Sequence, residues 1–199
     1  MFSFTRLRGA DPTLGVEMAS TGEVACFGAD AHEAFIQSML ATGFKLPNRT
    51  RNILLSIASD AYRKEFTEAA HILSNLGYNL YGTPGTAKHY AEKEGIKITK
   101  VSKPVDEDDA GTEACTSALK EIKNGNIDLV INISEGTTRR DEISSGYIIR
   151  RAAVDFDTSL ITNVKCAIKL SECLGLGLEK YSARHIGDFY DMPTIGWSN

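Results

Sequence analysis

The sequence predicts an α/β fold: a five-stranded parallel sheet with helices on both faces. Three observations carry this. Five short apolar runs, ILLSIAS (53–59), YNLYG (78–82), IKITKV (96–101), IDLVINI (127–133) and TSLIT (158–162), alternate with segments of helical period. Two of these runs, ILLSIAS and IDLVINI, are apolar at consecutive positions, the mark of strands covered on both sides. Gly77, Gly95 and Gly125 stand where the helical patterns stop. Strand–helix–strand repetition of this kind implies parallel pairing with crossover helices.

Each element follows in order. The first 45 or so residues are rich in Gly, Ser, Thr and Pro and show little period, with VACFG as a candidate short strand. AHEAFIQSMLATGF reads as a helix, with Asp30 as N-cap and Gly43 as stop, and KLPNRTRN reads as a linker. Residues 62–75 form a helix after the first strand, with Phe66, Ala69, Ala70 and Leu73 on one face. TAKHYAEKEG, TSALKEIKNG, YIIRRAAVDF and NVKCAIKLSECLG are the helices that follow strands two to five. The last 25 residues have mixed polarity and no clear period, as in an extended tail or a short capping helix.

Composition narrows the function classes. The chain has 199 residues, of which 22 are Lys or Arg and 26 are Asp or Glu, a net charge of -4. A general nucleic-acid binder is normally basic, so no nucleic-acid partner is expected. No run of about 18 apolar residues is present, so no membrane span is expected. The N-terminus lacks the apolar centre of a secretory signal. The four cysteines show no C-x-x-C spacing and no His at ligand spacing, so four reduced, mostly buried thiols in a cytoplasmic protein are expected.

In an open parallel sheet, ligands bind beyond the carboxyl ends of the strands. The residues there are Ser59, Asp60, Arg63 and Lys64 after strand one, and Gly82, Thr83, Pro84, Gly85 and Thr86 after strand two. Ser102 and Lys103 follow strand three, Asn132, Ile133 and Ser134 close strand four, and Thr162 and Asn163 close strand five. This set consists of hydroxyls, amides and a few cations, without a ring of carboxylates. GTPGTA is its sharpest element: a Gly-rich turn entering a helix presents backbone N–H groups and a dipole to an anion. Arg63 and Lys103 add charge suited to phosphate or carboxylate. On the structural alternative, the threonines merely cap the helix and the glycines merely make the turn.

Other positions promise less. His71 and His89 lie within helices and are expected at the surface or half-buried. Asp106, Glu107, Asp108 and Asp109 read as a solvated acidic loop without metal-ligand spacing. Arg139 and Arg140 fit either a lid over an anion or a solvated loop, and of Arg150 and Arg151 one is expected to face solvent and the other the sheet edge. No nucleophile elbow, Walker-type Gly-Lys-Ser/Thr or His/Asp pairing falls at the strand ends. Binding groups without a base or nucleophile favour a sensor over an enzyme.

FSFTRLRGADPTLGVEMASTGEVACFG, with EMASTGEV as its most specific part, resembles the end of the carbamoyl-phosphate-forming ATP-grasp domain of the carbamoyl-phosphate synthetase large chain. The stretch from Arg51 to Leu176 resembles the allosteric domain that follows it, which has the methylglyoxal synthase fold. The resemblance implies a Rossmann-type three-layer sandwich. It divides the chain into an ATP-grasp end (1–45), a linker (46–51), an effector domain (52–176) and a tail (177–199). It implies effector- and phosphate-binding roles for Arg63, Lys64, Thr83, Gly85, Thr86, Lys103, Asn132, Ser134, Thr162 and Asn163. NILLSIAS, LGYNLYGTPGTAKHYAE and NVKCAIKL are closer to the pyrimidine-pathway multifunctional branch, which favours a uridine nucleotide or phosphoribosyl pyrophosphate as effector. The alternative is an N-acetylglutamate-responsive domain of a urea-cycle synthetase. A methylglyoxal synthase-type lyase is disfavoured, because Ser134 and Glu135 follow strand four with no His-Asp pair in the next loop.

The same resemblance implies no cofactor and no metal in this fragment, with ATP and Mg or Mn used by the parent enzyme upstream, where Glu17 and Glu23 are remnants. The parent's catalytic domains are the expected partners, and homo-oligomerisation is left open. A third reading, an oligomerisation module with an empty pocket, predicts no ligand response.

Overall fold

The computed structural model describes residues 25–48, 50–104, 117–134 and 145–177. In chain order the elements are α1 (Ala31–Ala41), β1 (Asn52–Ile57), α2 (Asp60–Glu65), α3 (Thr67–Asn75), β2 (Asn79–Gly82) and α4 (Pro84–Lys93). They continue as β3 (Ile98–Lys100), α5 (Ala118–Lys123), β4 (Leu129–Ile133), α6 (Ser145–Asp155), β5 (Ser159–Ile161) and α7 (Val164–Gly175). The five strands form one parallel sheet in the order β3-β2-β1-β4-β5. The chain therefore winds outward from β1 in one direction and, after β3, returns to wind the other way from β4. The two central strands meet with Ser56 opposite Asn132 and Ile57 opposite Ile133.

The consecutive apolar residues of β1 serve two cores. Ile53, Leu55 and Ile57 join Phe66 and Leu73 of α3's side, Tyr90 of α4 and Ala167 and Leu170 of α7. Leu54 and Val130 face the opposite layer, Ala118 and Ile122 of α5 and Ile149, Ala152 and Ala153 of α6. A two-residue period within consecutive apolar positions is what a doubly covered strand requires. Each fully buried aliphatic contributes about 1.5–3 kcal/mol. α1 packs on α7 and inserts Ile36, which is fully buried, into the first core. Asp30 caps α1 by accepting from the backbone N–H groups of His32 and Glu33.

Several boundaries differ from expectation. Residues 25–28 form no strand. The helix expected over 62–75 is two helices, because Phe66 leaves helical geometry (φ -88°, ψ 0°) while its ring stays fully buried. α2 also starts earlier, where the Ser59 hydroxyl accepts from Tyr62 N–H. α4 starts at Pro84, a residue that fits a first helical position because its missing N–H has no partner there anyway. At Gly77, φ is +80° and a Cβ would meet nothing, so the backbone angle alone selects glycine. Of the described cysteines only Cys173 is buried; Cys26 is half-buried and Cys166 exposed. Among the described residues no helix is long and apolar enough to cross a membrane.

Candidate functional site

The reversal of winding leaves a crevice above the carboxyl ends of β1 and β4, where neighbouring connections part to opposite faces. A cleft of about 400 Å³ occupies it. One wall is the end of β1 with Arg63 from α2, the second is Thr83 and Gly85 at the start of α4, and the third is Asn132 to Ser134 with Arg150 from α6. Ser56, Lys103, Ser145 and Gly146 complete the lining. Arg63, Lys103 and Arg150 are its charged side chains, and the described lining contains no carboxylate. A concave site with one sign of charge concentrates anions.

Arg63 is built in from below. Its Nε donates to Ile57 O at 2.9 Å, one Nη to Ala58 O at 2.7 Å and the other to Asp60 Oδ1 at 2.7 Å. These bonds fold the guanidinium back over the end of β1. The Arg63 partnership holds the Asp60 carboxyl below its usual range. Tyr90 Oη donates to the Arg63 carbonyl at 2.9 Å, and burial pushes the Tyr90 phenol up. Gly85 makes room for the guanidinium: a Cβ there would sit 3.3 Å from Arg63 Nη2.

The two threonines divide their work. Thr86 is fully buried, and its hydroxyl accepts from Ile57 N–H at 3.0 Å and lies 3.3 Å from Ile57 O. Thr83 donates to the Thr86 hydroxyl at 3.2 Å from the cleft wall. Thr86 thus pins the start of α4 to the end of β1. Thr83 sits at the N-cap position of α4 but makes no capping bond with its side chain. The start of α4 keeps the unpaired N–H groups and partial positive charge that favour an anion.

On the opposite wall Asn132 is buried, and its Oδ1 accepts from Arg150 Nη1 at 2.7 Å. Of the ten residues expected at the site, Arg63, Thr83, Gly85, Lys103, Asn132 and Ser134 line the cleft. Thr86 lies beneath it. Lys64 is exposed and outside the lining, as is Thr162. Asn163 caps α7, its Oδ1 accepting from Lys165 and Cys166 N–H at 2.9 and 3.2 Å. Sequence reasoning did not bring Arg150, Ser56, Ser145 or Gly146 to the site. The available signal for Arg150 was its place beside the buried Ile149, Ala152 and Ala153, with Arg151 on the other side paired to Asp155.

His89, expected near the surface, is buried, with Asp60 and Glu94 carboxylate oxygens 3.7 and 4.0 Å from its two nitrogens. Burial holds its pKa below the usual histidine value. His71 is half-buried, with its side chain 45% exposed and 3.9 Å from Glu94. Among the described residues no group of three His, Cys, Asp or Glu is placed to hold a metal. Glu17, Glu23, Asp106 to Asp109, Cys115, Glu135, Arg139 and Arg140 lie outside the described residues.

Residues 65–162 match the family described as the MGS-like domain. This stretch belongs to the MGS-like domain family. The sheet begins before it, since β1 and Arg63 precede residue 65. The chain is 48% identical over 169 residues to the multifunctional protein pyr1-3 of Dictyostelium discoideum, covering 83% of this chain and 7% of that protein. It is 42% identical over 174 residues to the mitochondrial carbamoyl-phosphate synthase [ammonia] of Aquarana catesbeiana, covering 87% of this chain and 11% of that one. The chain therefore spans about a tenth or less of the length of these relatives. A crystal structure of methylglyoxal synthase from Elizabethkingia anophelis aligns with a TM-score of 0.45 at 20% identity, over 60% of this chain and 76% of that one.

Proposed function

We propose that this MGS-like domain is the effector-binding regulatory part of a glutamine-dependent carbamoyl-phosphate synthetase of the multifunctional pyrimidine type, working in the cytosol. Its effector is an anionic phosphorylated ligand, a uridine nucleotide or phosphoribosyl pyrophosphate. The observation that carries this reading is the cleft itself: three cations, an uncapped helix start and a buried amide converge, with no carboxylate in the described lining. Identity of 48% to a multifunctional relative over most of the chain supports the branch. The fragment binds and does not catalyse. ATP and Mg or Mn belong to the catalytic domains of the parent chain, which residues 1–45 of the chain continue. The ligand bridges α2, α4 and the end of β4, whose Asn132 is tied to Arg150 of α6, so its binding changes how these elements pack. Control of a distant reaction then requires two states of the whole enzyme with different effector affinity, typically a coupling of about 1–3 kcal/mol.

The test is thermal unfolding of this chain with UMP, UTP, IMP, phosphoribosyl pyrophosphate and N-acetylglutamate. A ligand at about 100 times its Kd adds roughly 2.7 kcal/mol, or about 5–10 °C at this size. A shift with uridine nucleotides or phosphoribosyl pyrophosphate is expected. A shift with N-acetylglutamate alone moves the assignment to the ammonia-type synthetase, to which the chain is 42% identical. No shift with any of them refutes effector binding by this chain.

A further inference from the structure

We infer that Arg150 is a positioning residue: it locks the Asn132 carboxamide with its N–H2 group toward the cleft, so this amide offers a donor to a ligand oxygen and no acceptor to a ligand N–H. The inference rests on the anion-site reading of the cleft and names what that amide selects. A guanidinium has five donors and no acceptor. The 2.7 Å contact to Arg150 Nη1 therefore fixes which amide atom faces it: the oxygen. Turning the amide over would set donor against donor. Asn132 is 2% exposed, on a central strand, so its side chain has no other place to go. Its Nδ2 donates to no described residue. The approach of Arg150 depends on Gly146 in the first turn of α6. A Cβ there would stand 3.3 Å from Arg150 Nη1 and 3.6 and 3.7 Å from Asn132 Oδ1 and Nδ2. A phosphate or carboxylate oxygen fits the presented donor; an amine or amide N–H does not.

The test is a double-mutant cycle on pyrophosphate binding, read by titration calorimetry at about 0.1 and 0.3 M KCl, so that the salt dependence reports the through-space charge of Arg150 and the cycle is compared at the higher salt, where that charge is weakened. Arg150→Met and Asn132→Ala are each expected to weaken binding about tenfold. The double variant is expected to match Asn132→Ala alone, because Arg150 acts through Asn132. Losses that multiply toward about a hundredfold would show Arg150 touching the ligand directly and overturn the inference. So would an Arg150→Met variant that binds as the parent does. Thermal unfolding of each variant confirms that it is folded. If the parent chain binds no pyrophosphate, the anion-site reading fails, and a second measurement still decides the lock. In nitrogen-15 spectra of the free chain, the Arg150 guanidinium should show resolved, slowly rotating Nη–H signals that Asn132→Ala abolishes. Fully averaged Nη signals in the parent chain would overturn it.

Discussion

Replacing Thr86 by valine keeps the shape of the side chain and removes one hydroxyl. That hydroxyl is the partner of Ile57 N–H, at 3.0 Å, in a residue only 2% exposed. The Ile57 carbonyl keeps its bond from Arg63 Nε, and the Thr83 hydroxyl, which also loses its partner, borders the cleft, so the donor left buried and unsatisfied is the Ile57 N–H. An unsatisfied buried donor costs about 1–3 kcal/mol. Taking about 2 kcal/mol, the melting temperature of a chain this size falls by roughly 4–8 °C. Thr86→Ser keeps the hydroxyl and loses one buried methyl, a cost of about 1 kcal/mol. The expected order in calorimetric unfolding is parent, then Thr86→Ser, then Thr86→Val. A Thr86→Val protein that melts within about 1 °C of the parent, or above Thr86→Ser, would refute the claim that this hydroxyl ties α4 to β1. Because Thr86 also sets the start of α4, loss of ligand response in such a variant would not by itself assign it a ligand contact.

Lys103→Met should weaken pyrophosphate binding about threefold to tenfold in titration calorimetry and leave the melting temperature unchanged, since Lys103 is an exposed side chain on the cleft rim. Asn163→Ala should do the reverse: it removes the cap of α7 and costs about 1 kcal/mol, with pyrophosphate affinity intact because Asn163 lies off the lining. His89 supplies a pH dependence. Burial holds its folded pKa below the unfolded value of about 6.5, so the unfolded chain binds the proton first and stability falls as pH drops through that value toward the lower folded one. Denaturant titrations of His89→Phe should show this limb flattened. The loss tied to Asp60 and Glu172 should remain, at lower pH, because Arg63 and Lys169 hold those carboxyls below their usual range.

The elements that were legible in the sequence are those whose signal is local. The runs Ile53–Leu55 of β1 and Leu129–Ile131 of β4, apolar at consecutive positions, announced strands covered on both sides, and Gly77 announced a helix stop through its backbone angle. The break at Phe66 was not legible, because a buried aromatic at helical spacing reads the same whether the helix continues or turns. The GTPGT turn pointed to the right corner of the fold, but its sequence could not say which threonine faces the cleft and which faces β1. Arg150 was missed for a related reason. It reaches the site only because α6 starts over the end of β4, with Gly146 leaving room, which is a tertiary juxtaposition. The burial of His89 likewise depends on α2, whose Asp60 lies beside it.

The central claim is that the crevice between β1 and β4 holds a phosphate-bearing ligand. Its most direct test is amide chemical-shift mapping of this chain titrated with phosphoribosyl pyrophosphate. The account predicts saturable shifts at Ile57, Ala58, Gly85, Thr86, Asn132 and Ile133, with Lys165 and Cys166 unmoved. Shifts centred instead on the separate cleft between Thr42 and Ser159, or no saturable shifts at all, would contradict it.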